Sequence, residues 1–155
     1  AVYGLPPVDD PAGHDFGLTP AMRVLSSVGQ VKDVPAGTGV SYGHEYTTSE
    51  DTRLALVTAG YADGVFRAGG NRAEVAIGGS RFRISGRVCM DQFVVDVGPG
   101  FEVAAGDAVT LIGPGGPSAR EWADAVGTID YEIVCRFGGL RHKDAAQDVT
   151  TEETA

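Results

Sequence analysis

GRVCMDQ, residues 86–92, is the stretch around which the rest of this 155-residue chain is organised. It combines a cation, a thiol, a thioether and an acid, with no turn-forming residue among its inner positions. An amphipathic segment at 81–85 precedes it, and an apolar segment at 93–97 follows it. Both flanks have the composition of β-strands, so we predict that the stretch itself is extended chain and not a surface loop.

Side chains alternate between the two faces of an extended segment. Val88 and Met90 are therefore predicted to share one face, and Arg87, Cys89 and Asp91 the opposite one. One face would belong to the core and the other would form the wall of a site. An ordinary buried strand, with its charged side chains paired to neighbours, explains the same pattern.

Composition indicates one globular domain that is not an electrostatic partner of nucleic acid or of anionic membranes. Hydrophobic residues make up 43% and charged residues 21% of the chain, and the net charge is −9. The basic residues are scattered, so no basic patch is predicted. Cys89 and Cys135 are too few for a disulfide framework or a metal cluster, which favours free thiols and a cytoplasmic location. No apolar run reaches the roughly 18 residues of a membrane span, and we expect neither a membrane span nor a signal peptide.

Short strand-like segments separated by turn signals fill most of the chain. The Gly-Gly pair at 78–79 is a two-residue turn signal, which predicts a β-hairpin. Segment 22–34 is predicted as one bent strand or two short ones, and another element opens at 40–43. Further strands are predicted at 54–58, at 73–77 and 81–87 as the two arms of the hairpin, and at 93–97. A last hairpin is predicted within 103–112, around Gly106 and Asp107.

Two short helices are predicted near the C-terminal end. Ser118 and Glu121 form a capping-box pattern that starts the first helix, and Gly127 can end it. Thr128 could cap a second helix that stops at Gly138. Seven or so strands with two helices predict a mainly β fold, a small closed or nearly closed β-barrel domain with the two short helices as plugs.

The chain lacks the usual catalytic constellations: a Ser-His-Asp elbow, a glycine-rich phosphate loop and metal-ligand spacing. His14, His44 and His142 fall in linker, loop edge and tail, where solvated imidazoles are the simpler interpretation. Lys32 and Lys143 stand beside aspartates, whereas a lysine that forms a Schiff base needs a desolvated pocket.

Four motifs, in order and at these spacings, closely resemble the C-terminal domain of alanine racemase. They are VSYGH at 40–44, GYADG at 60–64, GRVCMDQ at 86–92 and GTIDYE at 127–132. The resemblance runs from Ala1 to about residue 137 and is nearest to the actinobacterial members of the family.

The resemblance implies a pyridoxal-phosphate enzyme that interconverts L- and D-alanine and supplies D-alanine for peptidoglycan. Such an enzyme has an N-terminal (β/α)8 barrel, which holds the cofactor through a lysine, and a C-terminal β-domain. Two subunits form a head-to-tail homodimer. On this basis we expect 1–20 to be a linker from the missing barrel, 21–140 to be the β-domain and 141–155 a polar tail, and we expect the fragment alone to be inactive. The absence of an initiator methionine before Ala1 also suggests a piece of a longer chain.

The resemblance also assigns site residues. Tyr42 resembles the catalytic tyrosine that takes the α-proton from L-alanine. Met90 resembles the residue that contacts substrate through its backbone, with Cys89 and Asp91 as neighbours, and Tyr131 resembles the tyrosine at the cofactor phosphate. The residues that resemble the lining of the substrate entrance are Tyr61, Arg67, Arg87 and Ile129.

The chemistry of racemisation fits these residue types. It needs one base on each face of a planar carbanion, so a domain with a single base cannot perform it alone. A tyrosine has an ordinary pKa of about 10 and acts as a base at neutral pH only when a cation lowers it. The resemblance implies that these cations come from outside the chain. A non-catalytic β-barrel module for binding or oligomerisation is the alternative hypothesis, and a related pyridoxal-phosphate decarboxylase is a weaker one.

Overall fold

A computed structural model of the protein describes residues 3–5 and 17–137, which fold mainly as β-structure. The strands are β1 (Val24–Val34), β2 (Gly39–Val40), β3 (Tyr46–Thr47), β4 (Thr52–Val57), β5 (Glu74–Ile77), β6 (Ser80–Arg83), β7 (Phe93–Asp96) and β8 (Ala108–Ile112). The helices are α1 (Ala119–Val126) and α2 (Asp130–Phe137), and short 3-10 turns cover Tyr42–His44, Tyr61–Asp63 and Arg67–Gly69. Within the described residues, no helix has the length and apolar character needed to cross a bilayer.

Six antiparallel strands form one sheet in the order β6-β5-β8-β1-β4-β7. Its two edges meet, since Ile84 pairs with Val95 and the Ser85 amide donates to the Val94 carbonyl at 2.8 Å. The sheet thus closes into a barrel along a short seam after β6, which leaves few strand edges open to other chains. The predicted fold class is confirmed.

Strand β1 serves both halves of the barrel. Its first residues pair with β8, and its later residues pair with β4. The register shifts between Val28 and Gln30, so an extra residue is accommodated there as in a β-bulge, which bends the strand. Of the two predictions for 22–34, the single bent strand is the one observed.

The core lies inside the barrel and continues under the helices. Fully buried side chains come from β1, β4, β5, β7 and β8 and include Val57, Ile77, Phe93 and Leu111. Trp122 of α1 is 1% exposed, and its indole N–H donates to the Leu111 carbonyl at 2.6 Å. The two helices therefore belong to the barrel's own core.

The first predicted helix is confirmed with its caps. The Ser118 hydroxyl accepts from the Glu121 amide, the Glu121 carboxylate accepts from the Ser118 amide, and Gly127 ends α1 in the left-handed conformation at φ 79°. Helix α2 begins at Asp130, and the Thr128 hydroxyl hydrogen-bonds to the Glu132 side chain. The predicted stop at 138–139 lies outside the described residues, as do the tail 141–155 and most of the linker.

The predicted hairpin within 103–112 is wrong in its first arm. Only β8 is a strand, and 103–107 is a turn closed by the Asp107 carboxylate, which accepts from the Ala104 amide at 2.8 Å. Gly106 adopts φ 96°, and its amide donates to the Val28 carbonyl at 2.7 Å. The backbone amides that a second hairpin arm would use for pairing therefore hydrogen-bond within the turn and to β1.

Candidate functional site

Residues 86–92 form an irregular loop between β6 and β7, so their prediction as an extended segment is wrong. Val88 is 2% exposed whereas Met90 is 55% exposed, although alternation placed them on one face. The chain turns at Gly86, which has φ 82°, and again where the Cys89 amide donates to the Gln92 carbonyl at 2.9 Å. These turns bury the valine and display the methionine. Asp91 is also exposed.

The loop at 60–64 packs backbone to backbone against this segment. The Tyr61 amide donates to the Cys89 carbonyl at 3.0 Å, and the Ala62 amide donates to the Met90 carbonyl at 2.9 Å. A Cβ on Gly60 would lie 2.1 Å from the Met90 carbonyl oxygen, so only glycine permits the approach. The backbone of Tyr61, whose side chain is 38% exposed, is thereby fixed against the 86–92 loop.

Tyr42 projects from a turn between β2 and β3 and is 70% exposed. The turn is conformationally unusual, since Ser41, Gly43 and His44 have φ values of 61°, 74° and 48°. Positive φ is costly for residues other than glycine and persists only where surrounding contacts impose it. One such contact is the Ser41 hydroxyl, which donates to the Arg87 carbonyl at 2.8 Å and lies 3.5 Å from the Cys89 sulfur.

An ion pair closes the same junction. The Arg87 guanidinium contacts the Glu45 carboxylate at 2.5 Å, and a Cβ on Gly43 would lie 3.6 Å from the guanidinium carbon. The hydrogen bond from Arg87 lowers the pKa of Glu45. Partial desolvation raises this pKa, and the charges of Arg87 and Arg67 lower it further. Both entrance arginines of the prediction thus act on one carboxylate beside the Tyr42 turn.

The structure brings six predicted site residues together and positions the other three by other elements. The six belong to three loops joined by direct contacts: Tyr42, Tyr61, Arg87, Cys89, Met90 and Asp91. Arg67 lies in the 3-10 turn Arg67–Gly69. Two further residues are positioned by the helices: Ile129, which is 62% exposed, and Tyr131, half-buried on α2, whose hydroxyl donates to the Leu5 carbonyl at 3.3 Å.

Sequence reasoning missed three residues that build this junction: Ser41, Glu45 and Asn71. Their roles depend on contacts with residues 15 to 46 positions away. Asn71 had one local signal, because it follows a Gly-Gly pair and adopts φ 58°, a conformation that asparagine tolerates better than most residues.

Lysine, the residue type that forms a Schiff base with a carbonyl cofactor, occurs once in the described residues. Lys32, the lysine within the described ranges, is exposed on β1. His44 is exposed, as predicted, and its ring lies against Gly39. In residues 3–5 and 17–137, no cluster of three or more His, Cys, Asp or Glu could hold a metal ion. Cys89 and Cys135 are free thiols. His14, His142 and Lys143 lie outside the described residues.

The fold and the site define a small β-barrel domain that displays an open cluster of tyrosine, methionine and arginine on its loops. The family model described as alanine racemase, C-terminal domain, matches residues 21–144. The chain belongs to this family, as its four motifs predicted.

Relatives and solved structures agree. The alanine racemase of Salinispora arenicola is 57% identical over 144 residues, which cover 91% of this chain and 38% of that protein. The alanine racemase of Mycobacterium leprae is 54% identical over 90% of this chain and 36% of its own length. A crystal structure of alanine racemase from Streptomyces lavendulae, 49% identical, superposes with a TM-score of 0.81 over 89% of this chain and 37% of that one. The chain thus spans little more than a third of the length of the relatives it matches.

Proposed function

We propose that this chain is the C-terminal domain of a pyridoxal-phosphate-dependent alanine racemase and contributes Tyr42 as the base on the L face of the substrate. The observation that carries the proposal is the display of Tyr42, 70% exposed, on a turn held in positive-φ geometry beside Arg87 and Cys89. A tyrosine so exposed is not needed for the core. Family membership favours this function over a non-catalytic barrel module.

In the proposed reaction, Tyr42 removes the α-proton of L-alanine and returns a proton to the same face when D-alanine is the substrate. Met90, exposed on the neighbouring loop, contacts the substrate through its backbone, with Cys89 and Asp91 beside it. The Arg87 cation at the entrance attracts the substrate carboxylate, which competes with Glu45 for the guanidinium. Tyr61, Arg67 and Ile129 line the entrance with Arg87.

Pyridoxal phosphate would be held by a lysine of an upstream (β/α)8 barrel, and when bound it would make the α-proton of the amino acid acidic enough for removal. Exposed Lys32 does not suit that attachment, because a lysine that forms a Schiff base is activated by desolvation. Tyr131 contacts the cofactor phosphate in this proposal. The same upstream lysine is the base on the D face, so neither domain racemises alone.

The exposed Tyr42, Tyr61 and Met90 would be covered by the barrel of a second subunit in a head-to-tail homodimer. These three side chains are 70%, 38% and 55% exposed in this chain. Aromatic residues and methionine are enriched in protein interfaces, so their display on adjoining loops supports the assembly. The product D-alanine would serve peptidoglycan synthesis in the cytoplasm.

Exchange of the α-hydrogen in deuterated water tests the role of Tyr42 in the complete gene product. The Tyr42→Phe change deletes the base but keeps the ring, and loss of a general base costs about 10²–10⁴-fold. Net racemisation must fall equally in both directions, since the equilibrium cannot change. D-alanine should still exchange through the intact lysine, whereas exchange of L-alanine should nearly stop.

Tyr46→Phe is the matched control, because Tyr46 lies only four positions from Tyr42 in sequence. The change removes a hydroxyl that hydrogen-bonds to Asp96. It should leave the ratio of L- to D-alanine exchange unchanged. If Tyr42→Phe reduced both exchanges alike, or left L-alanine exchange at the wild-type rate, Tyr42 would not be the L-face base.

A further inference from the structure

Asn71 connects the two loops that carry the proposed site. Its side-chain oxygen accepts from the Gly86 amide at 2.6 Å, and its side-chain nitrogen donates to the Glu45 carbonyl at 3.3 Å. Its own amide donates to the Ile84 carbonyl at 3.0 Å, which anchors it to the barrel seam. Glu45 directly follows the Tyr42 turn, and Gly86 begins the loop of Arg87 and Met90. One carboxamide therefore spans both loops.

The two loops lack regular strand pairing that could set their separation. The Tyr42 turn is a 3-10 turn between two-residue strands, and 86–92 is irregular. Besides Asn71, side-chain contacts of Ser41 and Glu45 with Arg87 join them. A carboxamide can donate and accept at once, whereas a carboxylate can only accept. Asparagine also tolerates the φ of 58° at this position.

We propose that Asn71 is a positioning residue that fixes Tyr42 relative to Met90 and Arg87 for proton transfer on the L face. The proposal rests on the proposed function of Tyr42. Asn71 acts through the two loops and does not itself touch the substrate. Catalysis depends on this placement because an error of about 1 Å can cost 10²-fold in rate.

Hydrogen exchange in the complete protein tests the connection without any need for activity. Asn71→Gly retains the backbone freedom required at positive φ and deletes both hydrogen bonds, whereas alanine would add backbone strain. Backbone amides in 41–46 and 85–92 should exchange roughly tenfold faster, with amides of β4 unchanged. Unchanged exchange in both loops would overturn the proposal.

Asn71→Asp separates the two hydrogen bonds. The carboxylate can still accept from the Gly86 amide but cannot donate to the Glu45 carbonyl. Exchange should then increase in 41–46 while 85–92 keeps its protection. Equal loosening of the two loops in this variant would contradict the assigned hydrogen bonds. The milder variant also keeps the test decisive if Asn71→Gly does not fold.

Kinetics distinguish positioning from a merely structural role. In deuterated water, Asn71→Gly should slow α-hydrogen exchange of L-alanine by roughly tenfold or more and leave D-alanine exchange within about twofold. A general loss of stability would reduce both alike, and that outcome would overturn the positioning role. A wild-type protein without racemase activity would refute the proposed function, and the two hydrogen-exchange experiments would still decide whether Asn71 ties the loops.

Discussion

Asp96 lies at the end of β7, the strand that follows the loop at 86–92, and it is the centre of a hydrogen-bond network. Its carboxylate accepts from the Tyr46 hydroxyl at 2.8 Å, the Thr52 hydroxyl at 2.5 Å and the Gly98 amide at 3.0 Å. Burial raises the pKa of Tyr46, and the hydrogen bond to the negatively charged Asp96 raises it further. Tyr46 stands in β3 and Asp96 in β7, so this hydrogen bond ties β3 to β7.

Tyr46→Phe should lower the free energy of unfolding by about 1–3 kcal/mol at neutral pH, since it removes a hydrogen bond to a charged group. A raised pKa means that the folded state binds the phenolic proton more tightly. This contribution is complete below the ordinary tyrosine pKa of about 10 and is lost as the pH rises through the raised value. Urea unfolding of the wild type and of Tyr46→Phe at a series of alkaline pH values should show their free energies of unfolding converging as the pH rises.

Tyr61→Phe is the control for this prediction. Tyr61 is 38% exposed, so loss of its hydroxyl should change stability by only a few tenths of a kcal/mol. A stability difference between wild type and Tyr46→Phe that stayed constant through the alkaline range would show that the hydrogen bond to Asp96 does not raise the pKa of Tyr46.

Residue-scale contacts of the candidate site were only partly predictable. The four motifs singled out Tyr42, Tyr61 and Met90, which the structure displays on adjoining loops; their roles stay predictions. The pairings of Asn71 with Glu45 and Gly86 were not predicted, because those partners are 26 and 15 positions away and nothing local encodes them.

Helix α1 offers a test at the scale of a single element. Ser118→Ala removes the side-chain acceptor of the Glu121 amide and should lower the free energy of unfolding by about 1 kcal/mol. Ser118→Gly is the matched comparison and should cost only a few tenths, since glycine is itself a tolerated N-cap. Urea unfolding followed by far-UV circular dichroism measures both. An unchanged free energy of unfolding in Ser118→Ala would mean that the cap hydroxyl is not stabilising.

Elements with local signals were predicted correctly, and those decided by distant partners were not. The Gly78-Gly79 turn and the Ser118 capping box each lie within a few residues of the elements they define, so the hairpin of β5 with β6 and helix α1 were confirmed. The loop at 86–92 has strand-like composition, but its backbone groups hydrogen-bond to 60–64, to Ser41 and Asn71 and within the loop, and not to a ladder. Tertiary contacts override composition there.

At the scale of the whole molecule, we expect this 155-residue chain alone neither to bind pyridoxal phosphate tightly nor to racemise alanine. The prediction follows from the exposed setting of Lys32 and the single base that the proposal assigns to the chain. Mixing the chain with the cofactor and scanning the visible absorbance checks it, with the complete gene product as the positive control. A stable Schiff-base band from the isolated chain would contradict the prediction.

The barrel closure itself was predictable only as a class. Many short strands with frequent turn signals indicated a closed or nearly closed sheet. The strand order and the seam at Ile84 and Val95 depend on pairing across the barrel, which periodicity does not encode.

Trp122 gives the molecule a built-in optical reporter. It is the single tryptophan of the chain, it is almost fully buried, and its ring stands edge-on to Phe137 of α2 at 6.0 Å between ring centroids. Its indole also donates to β8, so the emission of this one fluorophore senses the barrel and both helices together. If the helices separated from the barrel before the strands came apart, the emission maximum would shift to the red while the β-sheet dichroism was still intact.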